Sequence, residues 1–346
     1  MIISRTPFRI SFFGGGTDYP VWYREQPGAV LATTINKFCY ITCRYLPPFF
    51  EHKSRIVWSM IERVNRAEEI QHPAVRAGLE FVGIRQGVEL HHDGDLPART
   101  GLGSSSSFTV GLLHTLYGLK GQRVSKRQLA RDAIYLEQEL LKEAVGSQDQ
   151  VMAAYGGLNR VDFDSDGEIR VCPIPLPTER RKALEAHLML FFTGISRTAS
   201  EIAKTQIAAT QSNQARLRVM YQQVDRAIEI LQGSGDLAAF GELLHEGWLL
   251  KRSLTDRIST SAIDDCYERA RASGAFGGKL LGAGGGGFLL LFARPEEQGR
   301  VSEALRGLLQ VPVQFESAGS QIIFYDPDGL SATAEEQAPA SQPAAV

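Results

Sequence analysis

Apolar and polar residues alternate near the start of the chain: Phe8, Ile10 and Phe12 are apolar, with Arg9 and Ser11 between them. A period of two is that of a β-strand, and Gly14-Gly15-Gly16 breaks it. A second β-rich stretch runs from Val30 to Tyr45, and Val88 to His91 predicts a short strand leading into a loop over Asp93 to Thr100. Residues 59–86 carry helical spacing. Phe108, Leu112, Leu113 and Leu116 predict a helix over 104–117, and a clearer one covers 125–143. A hairpin is expected over 157–175, turning at Asp164-Ser165-Asp166-Gly167. Then come a strand (188–193), a long helix (198–232), helices at 236–250 and 261–273, a glycine-rich segment (277–287) and strand–helix–strand to 325. No internal repeat is visible.

Pro173-Ile174-Pro175-Leu176-Pro177 disfavours both helix and central strand and reads as a domain boundary. The expected division is a first domain over 1–175, a second over 176–330, and a tail over 331–346 whose Ala, Glu, Gln, Ser and Pro content predicts disorder. A length of 346 residues suits two domains with cores of their own. The net charge of −2 provides no broad basic field for nucleic acid or an anionic membrane, so any affinity for phosphate must be local. The longest apolar run, Phe288 to Ala293, is far too short for a membrane span. The start of the chain lacks a signal-peptide layout. The spacings of Cys39, Cys43, Cys172 and Cys266 match neither a redox motif nor a zinc knuckle. A cytoplasmic protein is expected.

The strongest chemical signal is Pro97-Ala98-Arg99-Thr100-Gly101-Leu102-Gly103-Ser104-Ser105-Ser106-Ser107. Its glycines let the backbone close around an anion, and it opens directly into a predicted helix whose first N–H groups lack internal partners. A plain Gly/Ser linker would seldom run straight into an amphipathic helix. The second glycine cluster, Lys279 to Gly287, formally contains GxGxxG. A dinucleotide fingerprint needs a strand before it and a helix after it, whereas here a helix is expected before and a strand after. A loop where a ligand or another backbone approaches closely is what survives.

Glu137 falls within the apolar stripe formed by Ala133, Ile134, Leu140 and Leu141, so it must be paired or bound to a cation. Asp149, in Gly146-Ser147-Gln148-Asp149-Gln150, stands early in a following helix, where the dipole alone favours an acid. Asp162-x-Asp164-x-Asp166-Gly167 begins like a calcium loop but has Pro173 where a bidentate Glu is required; it reads as a hairpin turn.

Three segments together resemble the GHMP kinases, in that family's order: Pro7 to Asp18, Pro97 to Ser107, and Lys279 to Gly287. The resemblance spans residues 1–325. The Phe-Arg-Ile-Ser-Phe-Phe-Gly-Gly-Gly-Thr-Asp-Tyr start and the Gln148-Asp149-Gln150 triplet most resemble the branch that phosphorylates the anomeric O1 of D-glycero-D-manno-heptose 7-phosphate. Fucose-type anomeric kinases share much of this pattern. The resemblance implies an α+β fold: a ribosomal-protein-S5-domain-2-like N-terminal domain, a ferredoxin-like C-terminal domain, and an active site between them.

It also implies the site residues. Pro97, Gly101, Leu102, Gly103, Ser104, Ser105 and Ser106 would bind ATP, with Ser105 and Glu137 holding Mg²⁺. Asp149 and Arg9 would be catalytic. Gly15, Gly16, Thr17, Asp18, Gly284 and Gly285 would meet the acceptor. For a phosphate already on the acceptor, Arg197 is the first candidate, because it stands where a predicted strand gives way to a helix; Lys251 and Lys37 follow. Gly15 and Gly16 replace the Glu-His of galactokinases, which argues against galactose. The expected partner is a small sugar phosphate, with neither nucleic acid nor membrane; monomer and homodimer both fit. A sensor without turnover, and an ATP-dependent decarboxylase on the same fold, are the competing readings. The presence of Asp149, Glu137 and Ser105 weighs against the first, and the Gly16-Thr17-Asp18 start against the second.

Overall fold

The computed structural model describes residues 1–194 and 199–327. Arg197 and the expected tail over 331–346 lie outside them. The first half contains strands β1 (Ile2–Phe13), β2 (Gly28–Tyr45), β3 (Ser54–Val57), β4 (Ile61–Val64), β5 (Val88–Gly94), β6 (Leu158–Phe163) and β7 (Ile169–Pro173). Its helices are α1 (Pro20–Tyr23), α2 (Pro73–Val82), α3 (Ser104–Leu119), α4 (Lys126–Tyr135) and α5 (Gln148–Tyr155). The second half contains α6 (Thr178–Ala186), β8 (Leu188–Phe192), α7 (Ala199–Ala208), α8 (Gln214–Gln232), α9 (Ala238–Arg252), α10 (Ser261–Ala272), β9 (Ala275–Leu280), β10 (Phe288–Ala293), α11 (Gln298–Ala304), β11 (Leu309–Gln310), β12 (Phe315–Glu316) and β13 (Gln321–Tyr325).

Nine strands form one sheet around the long antiparallel pair β1–β2. The 18-residue strand β2 is long enough to serve two partners, β6 along its first half and β5 along its second. Four strands form a second, antiparallel sheet in the order β11-β8-β10-β9. Numbered along the chain this is 4-1-3-2 with helices in both crossovers, the split β-α-β topology of a ferredoxin-like domain. The two-domain fold is therefore the one the resemblance implied. The proline-rich segment runs from the end of β7 to the start of α6, and β12 and β13 return to the first sheet, on β2 and β1. Phe240 of α9 joins the layers, packing edge-on to Phe12 and Phe13 at 5.4 and 5.3 Å between centroids and against Phe292 of the second sheet at 5.5 Å.

Several elements differ from the periodicity. The helical spacing over 59–86 resolves into strand β4 and the shorter helix α2. Pro73 starts that helix, where its missing N–H costs nothing, and Gly83 ends it at φ 74°. The long helix expected over 198–232 is interrupted at 211–213, where the Asn213 side chain donates to the carbonyls of Ala209 and Leu254 (both 3.0 Å). The helix expected over 125–143 loosens at Leu136–Leu140 into a π-helical turn, with Leu141 N–H donating to Leu136 O at 2.9 Å. The second glycine cluster follows strand β9, not a helix. The dinucleotide reading still fails, because strand β10 and no helix comes after it. The 164–167 turn joins β6 to β7 as expected, closed by Gly167 N–H on Asp164 O at 3.0 Å.

Candidate active site

The loop before α3 is built by left-handed residues: Arg99, Gly101 and Gly103 have φ of 62°, 86° and 75°. Thr100 Oγ1 donates to Pro97 O at 2.8 Å and closes the turn. The first helical bond of α3 is Ser107 N–H to Gly103 O (2.9 Å), so the preceding N–H groups have no partner within the helix. Gly101, Gly103, Ser104, Ser105 and Ser106 all line one open cleft. Pro97 is exposed, and the Leu102 side chain is fully buried. Both shape the loop from behind and do not face the cleft.

The two glycine clusters meet backbone to backbone. A Cβ on Gly101 would sit 2.4 Å from Leu281 O, one on Gly282 would sit 2.4 Å from Gly101 Cα, and one on Gly287 would sit 2.2 Å from Thr100 O. Phe288 N–H donates to Thr100 O at 3.1 Å. The close approach expected of this cluster is thus to the loop before α3. Gly282 and Ala283 reach the cleft, whereas Gly284 packs against Ile258 and Gly285 N–H donates to Ile258 O at 2.9 Å. An acceptor-binding role for Gly284 and Gly285 is replaced by a structural one.

Asp149 enters the cleft from the first turn of α5, and Arg9 from β1. Arg9 Nε donates to Asp149 Oδ1 at 2.7 Å, and Nη2 to Oδ2 at 2.8 Å. Arg9 Nη1 donates to Gly101 O at 2.6 Å, and the Arg9 backbone N–H to Leu102 O at 3.0 Å. One guanidinium thus ties the carboxylate to the glycine loop.

Gly15, Gly16 and Asp18 line the same cleft. Asp18 is buried; its Oδ1 accepts from Gly16 N–H at 3.0 Å and its Oδ2 from Gln148 N–H at 3.4 Å. Burial, and then the nearby Asp149, raise its carboxyl above the usual range against the pull of these donors. Gly146 leaves room for it, since a Cβ there would lie 1.9 Å from Asp18 Oδ2. Thr17 does not reach the cleft: its hydroxyl is buried, bonding Gly14 O at 2.8 Å and Ala29 O at 2.9 Å.

Glu137 is buried at the π-turn. Its Oε2 accepts from Ser106 Oγ at 2.8 Å and from the Gln150 amide, while its Oε1 has no hydrogen-bond partner. Burial pushes its carboxyl up to about 7. Ser106, not Ser105, is the serine directed at this carboxylate. An oxygen pair with one buried, unpartnered carboxylate oxygen suits a hard divalent cation such as Mg²⁺.

Two buried lysines share the cleft. Lys279 Nζ donates to Phe12 O at 2.8 Å; Lys251 Nζ donates to Leu280 O at 2.8 Å and Gly282 O at 2.5 Å. Burial lowers both ammonium groups, Lys279 to about 7 and Lys251 well below its ordinary value; Lys251 also feels Lys279 and Arg9 as like charges, and Lys279 feels Arg9. Ser11 and Gln148 also line the cleft, each with a buried oxygen lacking a partner. Lys251 was legible: it follows Phe240, Leu244 and Trp248 at helical steps of three or four, a charge in an apolar stripe like Glu137. Lys279 stands inside a glycine motif, where its own burial gives no periodic signal.

Among the described residues, no helix is long and apolar enough to cross a membrane. Residues 56–157 match the model of the GHMP kinases N terminal domain, and residues 201–310 that of the GHMP kinases C terminal domain. The chain is 26% identical over 321 residues to a D-glycero-alpha-D-manno-heptose 7-phosphate kinase of Campylobacter jejuni, covering 88% of this chain and 93% of that protein. It is 24% identical over 339 residues to a galactokinase of Pyrococcus furiosus, covering 88% and 92%. A crystal structure described as a D-glycero-D-manno-heptose 1-phosphate kinase from Bacteroides thetaiotaomicron superposes with a TM-score of 0.77, at 22% identity over 93% of this chain and 98% of that one. At that identity the likeness bears on the fold alone.

Proposed function

The chain belongs to the GHMP kinases, and on that premise we propose that it transfers the γ-phosphate of ATP to the anomeric O1 of D-glycero-D-manno-heptose 7-phosphate. It is a phosphotransferase with an alcohol acceptor, a sugar kinase of its family. The observation that carries the reading is the placement of Asp149 and the open N-terminus of α3 in one cleft, tied together by Arg9. The heptose phosphate is favoured by the resemblance to the Campylobacter jejuni enzyme along nearly the whole of both chains.

In this reading the N–H groups at the start of α3, with Gly101, Gly103 and Ser104 to Ser106, cradle the ATP phosphates. Glu137 and the serines beside it, Ser106 first, would hold Mg²⁺. Bound with ATP, that ion offsets phosphate charge as the phosphoryl group moves. Asp149 accepts the proton of the attacking hydroxyl as its oxygen bonds to phosphorus and the bond to ADP breaks. A base so placed contributes about 10²–10⁴ in rate. Arg9 fixes the orientation of the Asp149 carboxylate and keeps positive charge beside the transferring group. Asp18, held by two backbone N–H groups, receives sugar hydroxyls, and Gly15 and Gly16 leave room for a bulky acceptor. The protein works in the cytoplasm, where ATP is supplied.

The test is ADP release with Mg-ATP and a panel of heptose 7-phosphate, mannose 6-phosphate, fucose, galactose and mevalonate. Release with heptose 7-phosphate, lost in Asp149→Ala, is expected. Release only with an unphosphorylated sugar would refute the heptose phosphate assignment while keeping the kinase.

A further inference from the structure

We propose that Lys251 and Lys279, with Ser11 and Gln148 of the same cleft, form the subsite that grips a phosphate already present on the acceptor. The inference rests on the sugar-phosphate kinase reading above and deepens it.

Charge accounting leads there. Arg9 is matched by Asp149, and in that reading the start of α3 is taken up by the nucleotide's phosphates. Lys251 and Lys279 have only carbonyl oxygens as hydrogen-bond partners, and neither has a carboxylate oxygen within 4.0 Å among the described residues. Two buried amines with no carboxylate in hydrogen-bond contact carry a desolvation cost when charged, which the more distant Asp18 offsets only in part for Lys279 and which a bound anion would reduce. A neutral sugar would leave that cost in place; a phosphate monoester, carrying nearly two negative charges at neutral pH, would match both.

Position separates Lys279 from the nucleotide's phosphates, while Lys251, on Gly282 O beside Gly101, stands where the two phosphate regions adjoin. Lys279 is anchored to Phe12 O, two residues before Gly14, at the end of the strand that leads into the acceptor side of the cleft. Ser11 Oγ and Gln148 Nε2 both approach Gly15, each 3.9 Å from where its Cβ would stand. Ser11 Oγ and Gln148 Oε1 are buried with no partner among the described residues, so the cleft that holds the lysines also holds unused polar capacity. Rotation of the Gln148 amide exchanges its oxygen and nitrogen, so the residue can present either a donor or an acceptor.

The experiment compares wild type, Lys251→Met and Lys279→Met, with Arg197→Ala as a reference, using heptose 7-phosphate and the same heptose without its phosphate. Methionine keeps the length of the side chain and removes a buried charge, and an unchanged KM for ATP reports an intact fold. Lys279→Gln is the second variant should a methionine variant not fold. The expected result is a rise of about 10²-fold in KM for heptose 7-phosphate with kcat largely kept, and a much smaller change with the unphosphorylated heptose. Equal losses with both acceptors, a fall confined to kcat, or the large KM effect appearing only in Arg197→Ala would each overturn the assignment. Calorimetric titration of inorganic phosphate onto the ADP·Mg-loaded protein separates the two readings. If wild type turns over no sugar phosphate, the proposed function fails. The subsite then stands if wild type binds phosphate and the lysine variants do not, and falls if they bind it equally.

Discussion

Arg9 and Asp149 meet in a two-pronged ion pair, Nε to Oδ1 at 2.7 Å and Nη2 to Oδ2 at 2.8 Å, while the third nitrogen of the same guanidinium holds Gly101 O at 2.6 Å. Only a planar fork can make all three bonds at once, and a lysine ammonium cannot span both carboxylate oxygens and the carbonyl. Asp149→Asn should therefore lower kcat by about 10²–10⁴ with a near-normal KM for ATP. Arg9→Lys should lower kcat and also weaken ATP, because the glycine loop loses its tie. Steady-state kinetics check both; a fully active Arg9→Lys enzyme would remove Arg9 from the mechanism.

The contact between Gly101 and Gly282 makes a second prediction. Both have positive φ, 86° and 73°, and a Cβ on either would lie 2.4 Å from backbone of the other cluster. Gly101→Ala or Gly282→Ala should cost roughly 1–3 kcal/mol of stability. The same shift should raise the KM for ATP, since the second domain presses on the loop through this point. Denaturant midpoints and ATP titrations measure the two effects, and a variant unchanged in both would show that the loop and the second cluster are not coupled.

Much of this was legible in the chain, and the failures have physical causes. Glu137 was visible because a charge in an apolar stripe violates local pattern, whereas Arg9 and Asp18 were named only through the resemblance carried by Pro7 to Asp18. The N-terminus of α3 was visible because glycine, serine and helix periodicity meet at one residue, Ser104. Thr17, Gly284 and Gly285 were assigned to the acceptor because a motif names a segment and not the direction of each group; Thr17 turns to Gly14 and Ala29, and Gly284 and Gly285 to Ile258. The π-turn at Leu136–Leu140 breaks a helix whose spacing looked continuous, because one inserted residue hardly alters an apolar count. The return of β12 and β13 to the first sheet rests on pairings across some 280 residues or more, which no local pattern carries.

Glu137 supplies a prediction about pH and metal removal. Its folded pKa of about 7 lies above the ordinary 4.5, so the native protein holds a proton that the unfolded chain has released between those values. Stability without metal therefore falls as pH rises from about 4.5 to about 7, and levels off above. Glu137→Gln should lack this slope and match or exceed wild type in stability at pH 8 in chelator. Its activity should be reduced about 10²-fold or more and not be restored by excess Mg²⁺. Thermal unfolding against pH, with and without chelator, decides it; identical slopes would mean that the carboxyl is not buried as described.

Lys279 gives the opposite sign and a link to the acceptor. Burial and the nearby Arg9 bring its ammonium from 10.5 down to about 7, against the attraction of Asp18. Between those values the unfolded chain holds more protons than the native one, so this group's contribution to stability is full above 10.5 and is lost as pH falls through 7. Relative to Lys279→Met, wild type should thus gain stability as pH rises from 7 toward 10. A phosphate in the same pocket favours the charged lysine and draws a proton back onto it. Binding of a sugar phosphate at pH 8 should therefore take up protons, and its KM should rise with pH above about 7 more steeply in wild type than in Lys279→Met, where Lys251 alone remains. Calorimetry in two buffers of different ionisation enthalpy reads the uptake directly. Proton release, or none, would place the acceptor's phosphate away from Lys279, whatever its effect on turnover.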